Sequence, residues 1–322
     1  MTHSPTTALR RWALVTLVLL YATVLAGSVV RATGSGMGCP DWPTCFGRLI
    51  PPTDVSQLPA DYRIRFRTPS AEIAEFNVVH TWVEYLNRLV GMASGLAMLG
   101  TAVLSLRQRP RDPVLPVLLL GALGLFGLVS WLGRVVVHTN LLPWNITLHM
   151  LGALVLVAAA MVAAVRVGPN KGAELSEGSR RMLWALLIST VTQIVLGTQV
   201  REQVDHLSET LDPCCRQRWV DQLGLVFAVH KASAWVLVAL GLSSFVMLRA
   251  QQVRWAWVLP TLLGAEYGLG VILARYGLPT LVQPGHLFLA VLLFGRIVAW
   301  LAARVVPRAL PLRPLGDGRM GA

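Results

Sequence analysis

The stretch LGLVFAVHKASAWVLVALGLSSFVML, residues 223–248, decides the fold class of this chain. It places His230 near one end of a run that is long and apolar enough to cross a bilayer, which takes about 20 helical residues. A second run, GHLFLAVLLFGRIVAWLAARV over residues 285–305, begins with His286 in the same way. Because an ionisable side chain inside a membrane span is costly, it indicates function by default.

Runs of this kind recur along the whole chain of 322 residues, of which 54% are hydrophobic and only 14% charged. The net charge of +12 does not indicate nucleic-acid binding, because the basic residues are spread over termini and inter-helix loops and form no continuous face. We therefore predict an all-α polytopic membrane protein in the lipid bilayer. Its eight predicted spans are residues 12–33, 78–104, 114–137, 146–165, 182–200, 223–248, 255–274 and 285–305.

Basic residues precede the first span and follow every second span, whereas the alternate loops are neutral or mixed. By the positive-inside rule, this pattern predicts a protein of the cell membrane with both termini in the cytoplasm. The residues that carry the pattern are Arg10, Arg11, Arg107, Arg109, Arg111, Arg166, Lys171, Arg180, Arg181, Arg249, Arg254, Arg304, Arg308, Arg313 and Arg319.

All four cysteines fall in loops that this topology places outside, in an oxidising compartment. Cys39 and Cys45 are predicted to form a disulfide; free or zinc-binding thiols are the alternative, although C-x5-C is a poor zinc signature. Adjacent cysteines rarely pair with each other, because the geometry is strained. Cys214 and Cys215 are therefore free, bridged to another loop or redox-active, and the sequence leaves this open.

The chain reads as two four-helix halves, residues 1–170 and 171–322. Gly133 and His149 recur as Gly270 and His286 at the same offset of 137 residues. The start of each half matches more weakly, G-x-x-V-R at residues 27–31 against residues 197–201. Such a repeat predicts two bundles related by pseudo-symmetry, each with one equivalent site.

In the second half, His230 and His286 begin neighbouring helices at similar depth and are predicted to ligate one haem iron across the bundle core. The alternative for either histidine alone is a hydrogen-bonded core residue. In the first half, His149 matches His286. The partner of His230 is either Asn87, at an offset of 143, or His80 after a shift of seven residues.

His80, Glu84, Asn87 and Arg88 have the i, i+4, i+7, i+8 spacing of one helix face. They form a polar stripe inside a predicted span. One interpretation is a structural hydrogen-bond network around Glu84. The other is an acid beside a metal pocket that serves proton transfer.

These residues lie in segments that resemble the haem A synthase family of cytochrome oxidase assembly proteins. The matching motifs are GSVVRATGSGMGCPDWPTCFG, EYLNRLVG, TNLLPWNITLHMLGAL, LGTQVRE, the His230 segment and LPTLVQPGHLFLAVLLFG. They occur in order over nearly all eight predicted spans. Such enzymes oxidise the methyl group at ring position 8 of haem O to a formyl group by successive hydroxylations, which makes this chain an expected oxidoreductase.

The resemblance also implies roles for single residues. His230 and His286 would be the axial ligands of a permanent haem b in the C-terminal half. His149 would face the iron of the substrate haem in the N-terminal half, and Glu84 would be the catalytic carboxylate. Many members have a histidine where this chain has Asn87, so that ligand role does not transfer; His80 is a candidate replacement, and Arg88 would lie beside the same haem.

Haem O as substrate, a haem O synthase and an electron donor are the implied partners, and a homo-oligomer is left open. Two rival functions compete with the enzyme. A non-catalytic dihaem cytochrome that takes electrons from quinol would hold two permanent haems and give Glu84 no essential task. A haem transporter or chaperone would bind haem reversibly without changing it.

Overall fold

The structure is a computed structural model that describes residues 5–67, 75–108, 112–139, 142–168, 175–211 and 216–303. Cys214 and Cys215 lie outside the described residues, as do several of the predicted inner basic residues: Arg109, Arg111, Lys171, Arg304, Arg308, Arg313 and Arg319. In chain order the α-helices are α1 Pro5–Ala32, α2 Tyr62–Arg65, α3 Val78–Arg107, α4 Val114–His138, α5 Pro143–Arg166, α6 Glu177–Thr210, α7 Arg216–Gln222, α8 Leu225–Ala250, α9 Val258–Arg275 and α10 Val282–Ala302.

Eight of these helices are long and apolar enough to cross a membrane, which confirms the predicted all-α fold with eight spans. They are α1, α3, α4, α5, α6, α8, α9 and α10. Their starts follow local capping signals. Asn77 accepts hydrogen bonds from the backbone N–H groups of Val79 and His80 at the start of α3, and Pro143 occupies the first turn of α5.

The prediction that the fifth span ends at residue 200 is wrong. Helix α6 continues to Thr210, through the polar residues 201–210, which the sequence predicts as part of an outer loop. The extension is helical because it still has an apolar face: Val204 is 5% exposed and packs with Trp219, Leu273 and Leu278. Mean hydropathy does not predict this extension, because only a narrow stripe of its residues is apolar and buried.

The two halves have the same pattern of neighbouring helices. In the first half α1 packs on α3 and α5, α3 packs on α4, and α4 packs on α5. In the second half α6 packs on α8 and α10, α8 packs on α9, and α9 packs on α10. The two sets of contacts are the same when α1, α3, α4 and α5 are matched with α6, α8, α9 and α10, in that order. This match supports the predicted duplication.

Helix α10 joins the halves, because it packs on α1 and α5 as well as on its own bundle. Val291, Phe294 and Val298 of α10 belong to the core of the first half, while Leu293 and Ile297 belong to the core of the second. Both cores are therefore anchored on one helix, with α6 and α10 the two most buried spans of the part described.

Residues 33–67 form a connection at the end of the bundle where α1 ends and α3 begins, and we call this end the disulfide end. Cys39 and Cys45 form the predicted disulfide there, with a Cα–Cα distance of 4.8 Å. The Asp41 carboxylate accepts hydrogen bonds from the backbone N–H groups of Phe46 at 2.5 Å and Gly47 at 2.9 Å. All four histidines predicted as ligands lie in the half of the bundle nearest this end, because each is close to the start of its helix.

Candidate functional site

The imidazoles of His230 and His286 face each other in the C-terminal half. Their ring centres are 6.5 Å apart and their planes are inclined by 77°. The rings come from α8 and α10, which approach each other less closely than either approaches the helices packed beside it. The structure thus brings together the two residues that the sequence predicts to share an iron.

The spacing fits one metal ion between the rings. An imidazole nitrogen binds a first-row metal at about 2 Å and lies about 1.1 Å from the ring centre, so two rings on one ion have centres about 6 Å apart. Within the described part of the chain, no group of three or more His, Cys, Asp or Glu side chains is placed to hold a metal ion. A two-histidine donor set is what haem iron takes from a protein.

A contact between Nδ1 and a backbone oxygen orients the rings of His286 and His149 in the same way. His286 Nδ1 lies 3.1 Å from the backbone oxygen of Glu266, and His149 Nδ1 lies 3.0 Å from the backbone oxygen of Val129; each oxygen is 20 residues upstream. A ring whose Nδ1–H donates to a carbonyl presents Nε2 as the metal-binding atom. Both histidines are therefore held in the tautomer that a ligand needs.

Glycine allows both rings to pack against the preceding helix. A Cβ atom on Gly133 would lie 3.2 Å from Cε1 of His149, and one on Gly270 would lie 3.2 Å from Cε1 of His286. Contacts at this distance are tight, so any side chain would push the ring from its place. The close approach of each ring thus explains why glycine occurs at both of these positions of the sequence repeat.

Helix α6 fixes the position of His230. The Gln193 side chain donates to the backbone oxygen of His230 at 2.9 Å and accepts from Ser233 Oγ at 2.6 Å. A Cβ on Gly197 would lie 3.5 Å from Cε1 of His230, so glycine is again the residue beside the ring. The Nδ1 atom of His230 is buried and has no hydrogen-bond partner, the kind of unsatisfied group that marks a functional site.

In the N-terminal half, Asn87 occupies the place that corresponds to His230. A Cβ on Gly27 would lie 3.8 Å from Asn87 Oδ1, which matches the contact between Gly197 and His230. Asn87 Oδ1 is also buried without a hydrogen-bond partner. This geometry favours the alignment that pairs Asn87 with His230 over the one that pairs His80 with it.

His80 lies in the first turn of α3, about two helical turns from Asn87. Its backbone N–H donates to Asn77 Oδ1, and its imidazole has no hydrogen-bond partner among the described residues. Its carbonyl group packs so closely against Gly38 that a Cβ there would overlap it. A ligand role for His80 stays a prediction.

Glu84 and Arg88 hold the disulfide connection on α3, and we call this pair the Glu84–Arg88 clamp. The Glu84 carboxylate, in a residue only 4% exposed, accepts from Cys39 N at 2.9 Å and from Arg88 Nη2 at 2.5 Å. Arg88 also donates to the backbone oxygens of Cys39 at 2.8 Å, Asp41 at 2.6 Å and Thr44 at 3.0 Å. Two members of the predicted polar stripe, Glu84 and Arg88, thus form a structural network, and the catalytic interpretation of Glu84 stays a prediction.

At the disulfide end, one carboxylate connects the two halves. Asp205 of α6 pairs with Arg31 of α1 at 3.1 Å and with Arg201 of its own helix at 2.6 Å. Arg201 also contacts Gln283 of α10. A cavity of about 180 Å³ lies beside this network, lined by Ala32, Thr33, Gly34, Arg201, Val204, Ser208, Trp219, Leu278 and Gln283.

Sequence reasoning missed Glu266, a second carboxylate inside a span. Its side chain is 13% exposed, and Oε1 lies 3.3 Å from Nδ1 of His286. The sequence does contain a signal for Glu266, because an acidic residue inside a span is as costly in lipid as a histidine. Its position 20 residues before His286 is also that of Val129 before His149.

The sequence profile of the COX15-CtaA family, described as cytochrome oxidase assembly protein, matches residues 10–298 of this chain. The chain belongs to this family. The match runs from the first span into the last and includes every predicted ligand, which confirms the family that the motifs indicated.

Curated relatives of this cytochrome oxidase assembly protein carry the name haem A synthase. The relative from Methylobacterium sp. (strain 4-46) is 28% identical over 334 residues, covering 92% of this chain and 91% of its own length. The relative from Chelativorans sp. (strain BNC1) is 25% identical over 331 residues with the same shares. The match to the relative from Shewanella oneidensis is 26% identical over 223 residues, 66% of this chain and 63% of that protein.

Proposed function

We propose that this membrane protein is a haem A synthase, an oxidoreductase that converts the methyl group at position 8 of haem O into a formyl group. The observation that carries the proposal is the facing pair His230 and His286, 6.5 Å apart, in a chain of the cytochrome oxidase assembly protein family. The electron donor and the haem O synthase that supplies the substrate are the proposed partners.

In this proposal the C-terminal half, residues 171–322, holds haem b through His230 and His286. A haem bound by two imidazoles supplies one-electron transfer when bound. Gln193 keeps α8 in place through the His230 carbonyl, and Glu266 orients His286 through Nδ1. These contacts fix both rings on rigid helices, as a permanent cofactor requires.

The N-terminal half, residues 1–170, takes the substrate haem with His149 as the fixed ligand. Asn87 lies where the other half has His230, and an amide is a poor ligand for iron. The weaker donor suits a molecule that enters, reacts and leaves, whereas two imidazoles would hold it tightly. His80 lies about two turns before Asn87 on the same side of α3, and the side chain of Arg88 reaches the disulfide connection.

Glu84 is the proposed acid of the substrate half. Its carboxylate is buried within the polar stripe, about one helical turn from Asn87. The Cys39 N–H and the Arg88 guanidinium hold it in a fixed orientation. A carboxylate fixed in this way can hold or pass one proton beside the reacting group.

We also propose that both termini lie in the cytoplasm and that the disulfide end faces the outside of the cell membrane. Arg107, Arg166, Arg249 and Arg254 lie at the end of the bundle opposite to Cys39 and Cys45. Basic residues stay inside and disulfides form outside, so both features support the same orientation.

Co-expression with a haem O source, in a host that makes no haem A, tests the proposed function. The extracted haems are separated by chromatography and identified by mass. We expect haem A or its hydroxylated intermediate together with haem B. Haem B alone, from intact protein with haem O available, would contradict the enzyme and favour the dihaem cytochrome.

Glu84→Gln separates the proposed acid from the clamp, because the amide keeps the shape and an acceptor oxygen but cannot exchange a proton. We expect haem B content to stay at the wild-type level while haem A falls by about 100-fold, the usual range for general acid–base catalysis. The matched control is Glu75→Gln, since Glu75 is exposed and its ion pair with Arg63 is 3.6 Å long. A wild-type yield of haem A from Glu84→Gln would remove Glu84 from the reaction.

One observation favours the dihaem cytochrome as a second candidate. Both oxygens of the Glu84 carboxylate are used by the clamp, so the residue has a structural task that needs no chemistry. Against it stands Asn87, because a second permanent bis-imidazole haem would need a histidine at that place. The same extraction decides, since a dihaem carrier holds two equivalents of unchanged haem.

A further inference from the structure

The carboxylate of Glu266 lies against His286 inside the bundle. Two oxygens of this residue face the same ring nitrogen: the backbone oxygen is 3.1 Å and Oε1 is 3.3 Å from His286 Nδ1. The side chain is 13% exposed and that of His286 is 22% exposed. The contact therefore lies in a region of low dielectric constant, where electrostatic interactions are stronger than in water.

Among the residues that the structure describes, the corresponding histidine of the other half has no such carboxylate beside it. Val129, at the offset of 137 residues from Glu266, offers His149 Nδ1 only its backbone oxygen at 3.0 Å. Glycine lies beside both rings, and the carbonyl contacts are nearly equal in length. The two histidines thus share their orienting contacts and differ by one carboxylate.

We propose that Glu266 acts through His286: its carboxylate gives the haem held by His286 a lower midpoint potential than that of the other haem. This inference rests on the proposed function, since it requires haem bound through His286. The carboxylate is not needed to orient the ring, because Val129 shows that a backbone oxygen in the same place suffices for His149. Its added effect is electronic.

The physical argument concerns the electron density on the ligand. The backbone oxygen that accepts from Nδ1–H makes the imidazole a stronger donor through Nε2, and the negative charge of the carboxylate beside the same N–H adds to this effect. A stronger donor stabilises ferric over ferrous iron, so the midpoint potential of the one-electron couple falls. No bond forms or breaks in this step. The haem of the C-terminal half then gives up an electron more readily than the haem of the N-terminal half.

Redox titration of the purified full-length protein, containing its own haem, tests the proposal. Glu266→Gln keeps the shape of the side chain and an acceptor oxygen but removes the carboxylate, and Glu266→Asp keeps the carboxylate. We expect both variants to retain haem and a low-spin bis-imidazole spectrum. The midpoint potential should shift upward in Glu266→Gln and stay nearer the wild-type value in Glu266→Asp. The matched control, Glu177→Gln, removes an exposed carboxylate that pairs with Arg181 of its own helix.

Equal midpoint potentials in wild type and Glu266→Gln, with haem content unchanged, would overturn the proposal and leave the proposed function intact. If Glu266→Gln loses haem, Glu266→Ala is measured in its place; loss of haem from both neutral variants means that Glu266 only holds the ring, which also overturns the proposal. Wild-type protein without a bis-imidazole haem would instead contradict the haem site of the proposed function. The spectrum and the potential thus distinguish the two failures.

Discussion

Replacing His286 with alanine is expected to empty the haem site of the C-terminal half. The variant removes one of two imidazoles that face each other at 6.5 Å, and no third histidine ring lies in contact with this pair among the described residues. Losing a contact that only orients a metal ligand already costs 10–100-fold in affinity, so losing the ligand itself should cost at least about 100-fold. The haem content of the purified protein, measured by its pyridine complex, checks this.

The control for His286→Ala is His206→Ala, because His206 is exposed near the end of α6 and its backbone oxygen alone is used by Thr210. The control should keep wild-type haem content and the low-spin spectrum. Haem retained by His286→Ala with an unchanged spectrum would show that His286 does not ligate iron. Glu266 would then face a ring with a purely structural task.

Replacing Arg88 with alanine is expected to detach the disulfide connection from α3. The guanidinium, 17% exposed, donates to three backbone oxygens of the connection and to the Glu84 carboxylate, which is 5% exposed. The variant removes the charged partner of a buried carboxylate, and breaking a buried ion pair by removing one partner costs about 3–5 kcal/mol. We expect a lower temperature of thermal unfolding in detergent and faster reduction of Cys39–Cys45.

Two comparisons interpret the Arg88→Ala result. Arg63→Ala removes an arginine whose pair with Glu75 is exposed and 3.6 Å long, and it should leave both measurements unchanged. The double variant Glu84→Leu/Arg88→Met should be more stable than Arg88→Ala, because it leaves no charge buried. Wild-type stability in Arg88→Ala would mean that the clamp seen here contributes nothing to holding the connection.

Hydrophobicity and spacing predicted most of the fold because a membrane limits a chain to few solutions. Each of the eight runs has to be a helix, since lipid offers no partner to an open backbone. The Cys39–Cys45 pair followed from loop position, and the pairing of His230 with His286 followed from their matching places in the repeat. These features depend on local sequence or on one periodicity, and both can be read without coordinates.

Features that depend on distant contacts were not predicted. The end of α6 is helical because Val204 packs on Leu273 and Leu278, which come about 70 positions later and give no local signal. Glu84 was identified as a buried acid, but its partners Cys39 and Arg88 follow from how one connection folds back on α3. The sequence allows one alignment that pairs Asn87 with His230 and another that pairs His80 with it, and only the contact of Asn87 beside Gly27 favours the first.

The Asp205 network links the two halves through a charge that only the second half supplies. Arg31 and Arg201 are counterparts at the offset of 170 residues, yet the counterpart of Asp205 is Ser35. Two copies of the first half would bring two cations together with no anion, and two copies of the second would bring two anions to the two cations. Only the mixed pairing places one carboxylate between two guanidinium groups. Asp205 thus attaches the second half to the first through one ion pair, whereas pairing of two first halves is disfavoured because it places like charges together.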